Sequence, residues 1–155
     1  MHRQPDAFQE TLAQFQTQTG LRLELSGSAH SVRLMVDDIC VSLADKDCTQ
    51  MLLEAEILRL DEAREDLNQQ LSMALKANLG LLFDCSAAIQ LSRSEDGDWL
   101  VARAILPYTV TTLSKLMTAI EDIAGLVDFM RRSEGQVHQQ PALKLYRHQN
   151  LIFPV

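Results

Sequence analysis

Aromatic residues are scarce in this chain of 155 residues, which has five Phe, two Tyr and one Trp. Its core must therefore consist mainly of Leu, Ile, Val, Met and Ala side chains. Long apolar runs are also lacking: no stretch approaches the roughly 18 apolar residues that mark a membrane-spanning helix. Since no signal-peptide pattern is found either, we expect a soluble, cytoplasmic protein that makes no membrane contact.

Cysteine, glycine and histidine are too few and too scattered for the usual chemical sites. The three cysteines (Cys40, Cys48 and Cys85) form no Cys-x-x-Cys pair, so the sequence predicts no disulfide framework. Cys40 lies in a predicted strand and is expected to be a buried structural thiol. Six glycines occur singly, which excludes a glycine-rich phosphate loop, and the four histidines lack metal-binding spacing. We expect no enzyme, catalytic residue, metal site or cofactor.

Basic residues are outnumbered, with 14 Lys and Arg against 21 Asp and Glu, which gives a net charge of −7. Nucleic-acid binding is disfavoured because phosphate contacts require a basic face. Residues 37–66 alone carry ten acidic and three basic residues and so account for the whole net charge. A solvated face that maintains solubility is the simpler interpretation. Steering of a basic partner is the alternative.

Hydrophobic periodicity predicts a first helix over residues 6–19, with Phe8, Leu12 and Phe15 on one face. Asp6 can cap its start and Gly20 can end it. After this helix, apolar residues recur at every second position, which predicts strands at 21–25, 32–36, 39–43 and 51–60. Asp37-Asp38 is either a tight turn or a bulge within one bent strand. The last of these strands is rich in residues with high helix propensity.

A second helix is predicted at about 62–80, with Asp61 as its cap and Gly80 at its end. A hairpin over 87–106 and a third helix at about 110–133 follow. Thr109 or Thr111 can cap the third helix. The second helix carries one apolar stripe, which consists of Leu67, Leu71, Ala74, Leu75, Asn78 and Leu82.

The predicted organisation is a single α+β domain over residues 1–135, followed by a C-terminal tail, residues 136–155. The tail begins as a polar linker and ends in an apolar terminus made of two segments, residues 143–147 (Leu-Lys-Leu-Tyr-Arg) and residues 151–155 (Leu-Ile-Phe-Pro-Val). Chain termini with nothing to pack on are normally polar. The fold class is three helices around a twisted antiparallel sheet, in the order helix, three or four strands, helix, two strands, helix.

The ordered set of motifs resembles the class I chaperones of bacterial type III secretion systems. A Leu-rich helix ends in Leu75-Lys-Ala-Asn-Leu79, and a strand pair turns at the acidic segment Glu95–Asp98. A Leu106-Pro107 step then precedes the long amphipathic helix, and the match covers most of the chain. The strand at 21–25 and the apolar tail depart from the family pattern.

The resemblance implies a non-enzymatic homodimer that binds the N-terminal segment of secreted effector proteins in extended form. A secretion ATPase or a regulator would be further partners. The candidate effector-binding residues are Leu12, Phe15, Leu34, Val36, Val41 and Leu43. The candidate dimer-interface residues are Leu71, Ala74, Leu75, Asn78, Trp99 and Val101. For every residue of both sets, packing in the chain's own core is the alternative.

A second function is left open by the sequence. A regulatory protein-interaction module, such as an anti-activator or co-regulator within a secretion regulon, would have the same composition. The nature of the partner distinguishes the two functions, because a chaperone binds an unfolded N-terminal segment and a regulator binds a folded protein.

Overall fold

The computed structural model describes residues 6–21, 23–25, 30–60, 65–81 and 85–134. Its three helices are α1 (Ala7–Thr19), α2 (Leu67–Leu81) and α3 (Leu113–Glu134). Its six strands are β1 (Glu24–Leu25), β2 (Ser31–Val36), β3 (Ile39–Lys46), β4 (Gln50–Leu60), β5 (Ala88–Ser94) and β6 (Gly97–Pro107). The predicted α+β class and element order are confirmed, with four strands before α2.

All six strands form one antiparallel sheet in the order β1-β2-β3-β4-β6-β5. The strand β4 lies in its middle, paired on both sides, and a bulge interrupts its register between Glu56 and Leu58. These pairings outweigh the helix propensity of this segment, because β4 is paired with β3 over Gln50–Glu54 and with β6 along nearly its whole length. The predicted strand at 21–25 is shorter in the structure, where β1 has only two residues.

One face of the sheet, called here the inner face, is covered by helices. Helix α3 lies against β3, β4 and β6. Ala55 pairs with Ala102 on adjacent strands of this face, and both are buried. Small side chains at this point allow the helix to approach the sheet closely. The fully buried large side chains of the core include Phe8, Phe15, Leu43, Met51, Leu53, Leu116, Ile123 and Met130.

The ends of α1 are those predicted. The Asp6 carboxylate accepts a hydrogen bond from the Phe8 amide at 3.1 Å, and Gly20 adopts a left-handed φ of 68°. Such a glycine ends a helix at little steric cost. The Asp37-Asp38 segment is a tight turn, since Val36 pairs directly with Ile39.

The starts of the other two helices differ from the predictions. Helix α2 begins at Leu67, directly after Asp66, whose backbone carbonyl accepts from the Gln70 amide at 3.0 Å. The predicted cap Asp61 lies outside the described residues. Helix α3 is capped by neither Thr109 nor Thr111. Instead, the Thr112 hydroxyl accepts from the Lys115 amide at 3.2 Å. Neighbouring threonines are equivalent in a sequence pattern, and the end of β6 decides which of them starts the helix.

Candidate protein-binding surfaces

The residues predicted to bind an effector lie mainly in the core. Leu12 and Phe15 on α1, Leu34 on β2, and Val41 and Leu43 on β3 are each 4% exposed or less, and Val36 is half-buried. The structure therefore brings these side chains together between α1 and the inner face. In this conformation only their edges could contact a partner, and their role in effector binding stays a prediction.

A cleft of about 260 Å³ lies beside this cluster, between α1 and the start of the sheet. Leu12, Leu23 and Val32 supply its apolar part, and the amides of Gln9 and Gln16 add polar groups that can pair with a peptide backbone. Ala13 also lines the cleft and is exposed. The cleft thus combines apolar surface with hydrogen-bonding side chains, as an extended peptide requires.

Helix α2 packs Leu71, Met73 and Leu81 partly against the core but has two leucines that point outward. Ala74 and Ala77 are buried, whereas Leu75 is 65% and Leu79 is 70% exposed. Leu91 on the neighbouring strand β5 is 46% exposed. These three leucines are called here the α2–β5 surface. Exposed large apolar residues grouped on adjoining elements are typical of an interaction site, whereas single ones are not informative.

The structure divides the residues predicted for the dimer interface. Leu75 belongs to the exposed α2–β5 surface. Ala74 is 5% and Val101 is 1% exposed, so both are covered within the chain itself. Leu71 and Trp99 are half-buried. As a complete set, the dimer interface stays a prediction.

Asn78 has a specific role that its position in the motif did not reveal. Its side-chain amide donates to the Ile89 carbonyl and accepts from the Ile89 amide, both at 2.8 Å. These are the two bonds that a neighbouring strand would make at the free edge of β5. Asn78 therefore closes the sheet edge at this point. An unpaired edge would invite association with another strand.

No helix of the described residues packs on the outer face of the sheet. Besides Val101 and Trp99 of β6, this face carries three rows of cross-strand neighbours. Met35 and Cys40 pair at the end next to the β2–β3 turn. A polar row crosses the middle, where the Arg103 guanidinium donates to Glu54 and Gln90. The third row is apolar and consists of Ala44, Leu52 and Ile105.

The predicted burial of one cysteine, Cys40, is wrong. Cys40 is exposed on the outer face rather than buried, because the pairing of Met35 with Cys40 places both opposite to the core residues Leu34 and Val41. Burial raises the pKa of the Cys85 thiol to about 11. A hydrogen bond to the Asp45 carboxylate raises the pKa of Cys48. Both shifts favour the neutral thiol, which is a poor nucleophile.

Other polar contacts join separate parts of the fold. The Tyr108 hydroxyl donates to Asp45 at 2.6 Å, and burial together with this bond raises the pKa of Tyr108.

Among the described residues, no three His, Cys, Asp or Glu side chains are grouped so that they could hold a metal ion. In the same part of the chain, no helix is long and apolar enough to cross a membrane.

No protein-family model and no curated protein sequence matches the chain. Solved structures do match its fold. SchA, from a chaperone–effector complex with HopA1, has a TM-score of 0.64 at 12% identity, covering 81% of this chain and 94% of its own. The type III secretion chaperone SycH of Yersinia pestis, in complex with a fragment of YscM2, has a TM-score of 0.55 at 20% identity, covering 81% and 98%.

The fold is not restricted to chaperones. YbjN of E. coli, a candidate transcription regulator, has a TM-score of 0.56 at 13% identity, covering 86% of this chain and 96% of its own. The likeness to type III secretion chaperones is thus confirmed for the fold, and function has to be argued from the surfaces.

Proposed function

We propose that this chain is a type III secretion chaperone, which binds the N-terminal segment of one or more effector proteins and keeps it extended for export. The observation that carries the proposal is the outward orientation of Leu75 and Leu79 on α2. A helix that only completed its own core would bury its leucines and expose its small residues. On α2, Ala74 and Ala77 are buried while Leu75 and Leu79 are exposed, which favours a protein that presents apolar surface to another protein.

We assign the α2–β5 surface to a homodimer contact. A two-fold interface must be self-complementary, and leucines spaced by one helical turn can interdigitate with the same residues of a second copy. Leu91 on β5 enlarges this contact beyond the helix. The resulting dimer would display two copies of the cleft between α1 and the sheet.

The client would occupy the cleft in extended form. Its apolar side chains would contact Leu12, Leu23 and Val32, and its backbone would pair with the amides of Gln9 and Gln16. Burial of apolar surface supplies the free energy, about 25 cal/mol per Å² of apolar area removed from water. Binding of the client in this way requires no chemical reaction, which agrees with a cytoplasmic chaperone that binds its client without being an enzyme. The acidic surface would attract a basic client segment.

The proposal can be tested by capture of clients from the source bacterium under secretion-inducing conditions, with limited proteolysis of the captured complex. We expect a dimer that protects only the N-terminal segment of a larger protein. Capture of a folded partner that is protected as an intact domain would favour the regulatory alternative. A monomer without a partner would contradict both.

A matched pair of variants locates the site. Ala13→Arg places a long side chain across the cleft and should abolish capture without affecting the fold, since Ala13 is exposed. Thr17→Arg, one turn further along α1 and outside the cleft, adds the same charge and should leave capture unchanged. Equal capture by the two variants would exclude the cleft.

A further inference from the structure

Helix α3 ends near the β2–β3 turn, at one end of the sheet. Near this end, Arg131 pairs with Asp38 at 3.7 Å and donates to the Glu56 carbonyl at 3.4 Å. Asp38 lies in the β2–β3 turn, and only the pair of Val36 and Ile39 separates this turn from Met35 and Cys40. The last described turn of α3 therefore lies at the end of the sheet that carries the first row of the outer face.

The linker is long enough to pass from the helix side to the outer face. Residues 135–141 can extend about 3.3 Å each, or about 23 Å in all. The distance to be crossed is of the order of one packing layer, about 10 Å. The first apolar stretch of the tail, Leu143–Leu145, can thus reach the row of Met35 and Cys40 without strain.

The apolar pattern of the tail matches that of the outer face. The tail has an apolar stretch, a polar segment at 146–150 and a second apolar stretch, Leu151–Phe153. The three rows of the outer face follow the same order, with an apolar, a polar and a second apolar row. Met35 on the first row is 57% exposed, and Ile105 on the third is 40% exposed. From Cys40 to Ala44 the strand rises about 13 Å. An extended chain spans up to about 20 Å between residues 145 and 151, so it can cover this distance.

Charge is complementary as well. The tail carries Lys144 and Arg147 and no acidic residue, whereas all 21 acidic residues of the chain lie in residues 1–134. The exposed carboxylates of Asp37 and Asp38 lie at the end of the face where Lys144 would arrive. Contacts between exposed charges are individually weak, so they would orient the tail rather than hold it.

We propose that the outer face of the sheet is the docking surface for the chain's own C-terminal tail. Leu143 and Leu145 cover Met35 and Cys40, and the second apolar stretch, Leu151–Phe153, covers the row of Ala44, Leu52 and Ile105. The polar segment between them crosses the row of Arg103 and Glu54. This intramolecular contact does not depend on the proposed chaperone function.

The exposed thiol of Cys40 reports on the contact in the full-length protein. The alkylation rate of Cys40 by N-ethylmaleimide would be followed by peptide mass spectrometry in the wild type and in the double variant Leu143→Asp/Leu145→Asp. We expect the rate to rise about tenfold in the variant, as it would if the docked form outnumbers the open form by about ten to one. The control Gln139→Asp/Gln140→Asp adds the same charge to the linker and should leave the rate unchanged.

Cys85 is the internal reference, because its half-buried thiol becomes reactive only if the fold opens. A faster reaction of Cys40 with unchanged Cys85 supports docking. Equal Cys40 rates in the wild type and the double variant would overturn it. Protection that disappears when the wild type is diluted would also overturn it, since a second copy would then be the cover.

A second variant gives an independent measurement. Leu145→Cys should form a disulfide with Cys40 within one chain under mild oxidation, visible as a monomer band and a linked peptide pair. Met35→Asp in the same protein should slow this reaction. Linkage only between chains, or an equal rate with and without Met35→Asp, would contradict the proposed contact.

Discussion

At the scale of single residues, Asn78 shows how a short motif acquires its meaning from a distant strand. Its amide makes both hydrogen bonds with Ile89, which is buried and eleven positions away. No local pattern indicates this partner. From the sequence, Asn78 was predicted at a dimer interface, with packing in the chain's own core as the alternative.

Replacement of Asn78 by Leu should destabilise the fold. It leaves the amide and carbonyl of Ile89 without their partner, and a buried polar group left unpaired costs about 1–3 kcal/mol. Urea unfolding would measure the loss. The control Lys76→Leu introduces the same side chain at an exposed position of α2. Equal unfolding midpoints for the two variants would show that the edge contact is dispensable.

At the scale of elements, α2 is the helix whose orientation matters most for function. Its stripe was predicted as Leu71, Ala74, Leu75 and Asn78, but the buried positions are Gln70, Ala74 and Ala77. Leu and Ala are both apolar, so periodicity alone does not say which of two overlapping faces is buried. The short distance between α2 and β5, enforced by the Asn78 contact, selects the smaller side chains.

The proposed dimer contact predicts that Leu75→Asp disrupts the assembly. Two copies would bring like charges into an apolar contact, and desolvation of an unpaired carboxylate is costly. Light scattering should change from a dimer of twice 17.4 kDa to a monomer. Val110→Asp is the control, because Val110 is similarly exposed but belongs to the connection between β6 and α3 and not to α2 or β5. A dimer that survives Leu75→Asp would refute this interface.

At the scale of the whole molecule, the described residues from α1 to α3 already form one continuous core. The core joins α1, the inner face of the sheet and α3, and its largest buried side chains lie between Phe8 and Met130. Docking of the tail on the opposite face would add contacts to a fold that is already closed.

Deletion of residues 141–155 should therefore preserve cooperative unfolding. The free energy of unfolding should fall only by the contribution of a surface contact. The slope of this free energy against urea concentration should stay nearly constant, because little surface is involved. Circular dichroism during urea titration would measure both quantities. Loss of a single cooperative transition would show that the tail is part of the core.

Much of the fold was predictable from local signals. Asp6 and Gly20 bound α1 as expected, and alternation identified β2, β3 and β4. The candidate site was less predictable, because Phe15, Val41 and Leu43 have the same apolar character whether they line a binding surface or a core. Exposure depends on which elements cover a residue, and that information is spread over the whole chain.

The sequence by itself determined the succession of helices and strands, the acidic character and the family resemblance, because caps, turns and periodicity act between near neighbours. Which faces remain open depends on how the helices and strands pack on one another. The outward leucines of α2, the edge contact of Asn78 and the exposure of Cys40 all follow from this packing. A side chain is exposed only where no other element covers it, so its exposure cannot be predicted from the sequence of its own segment.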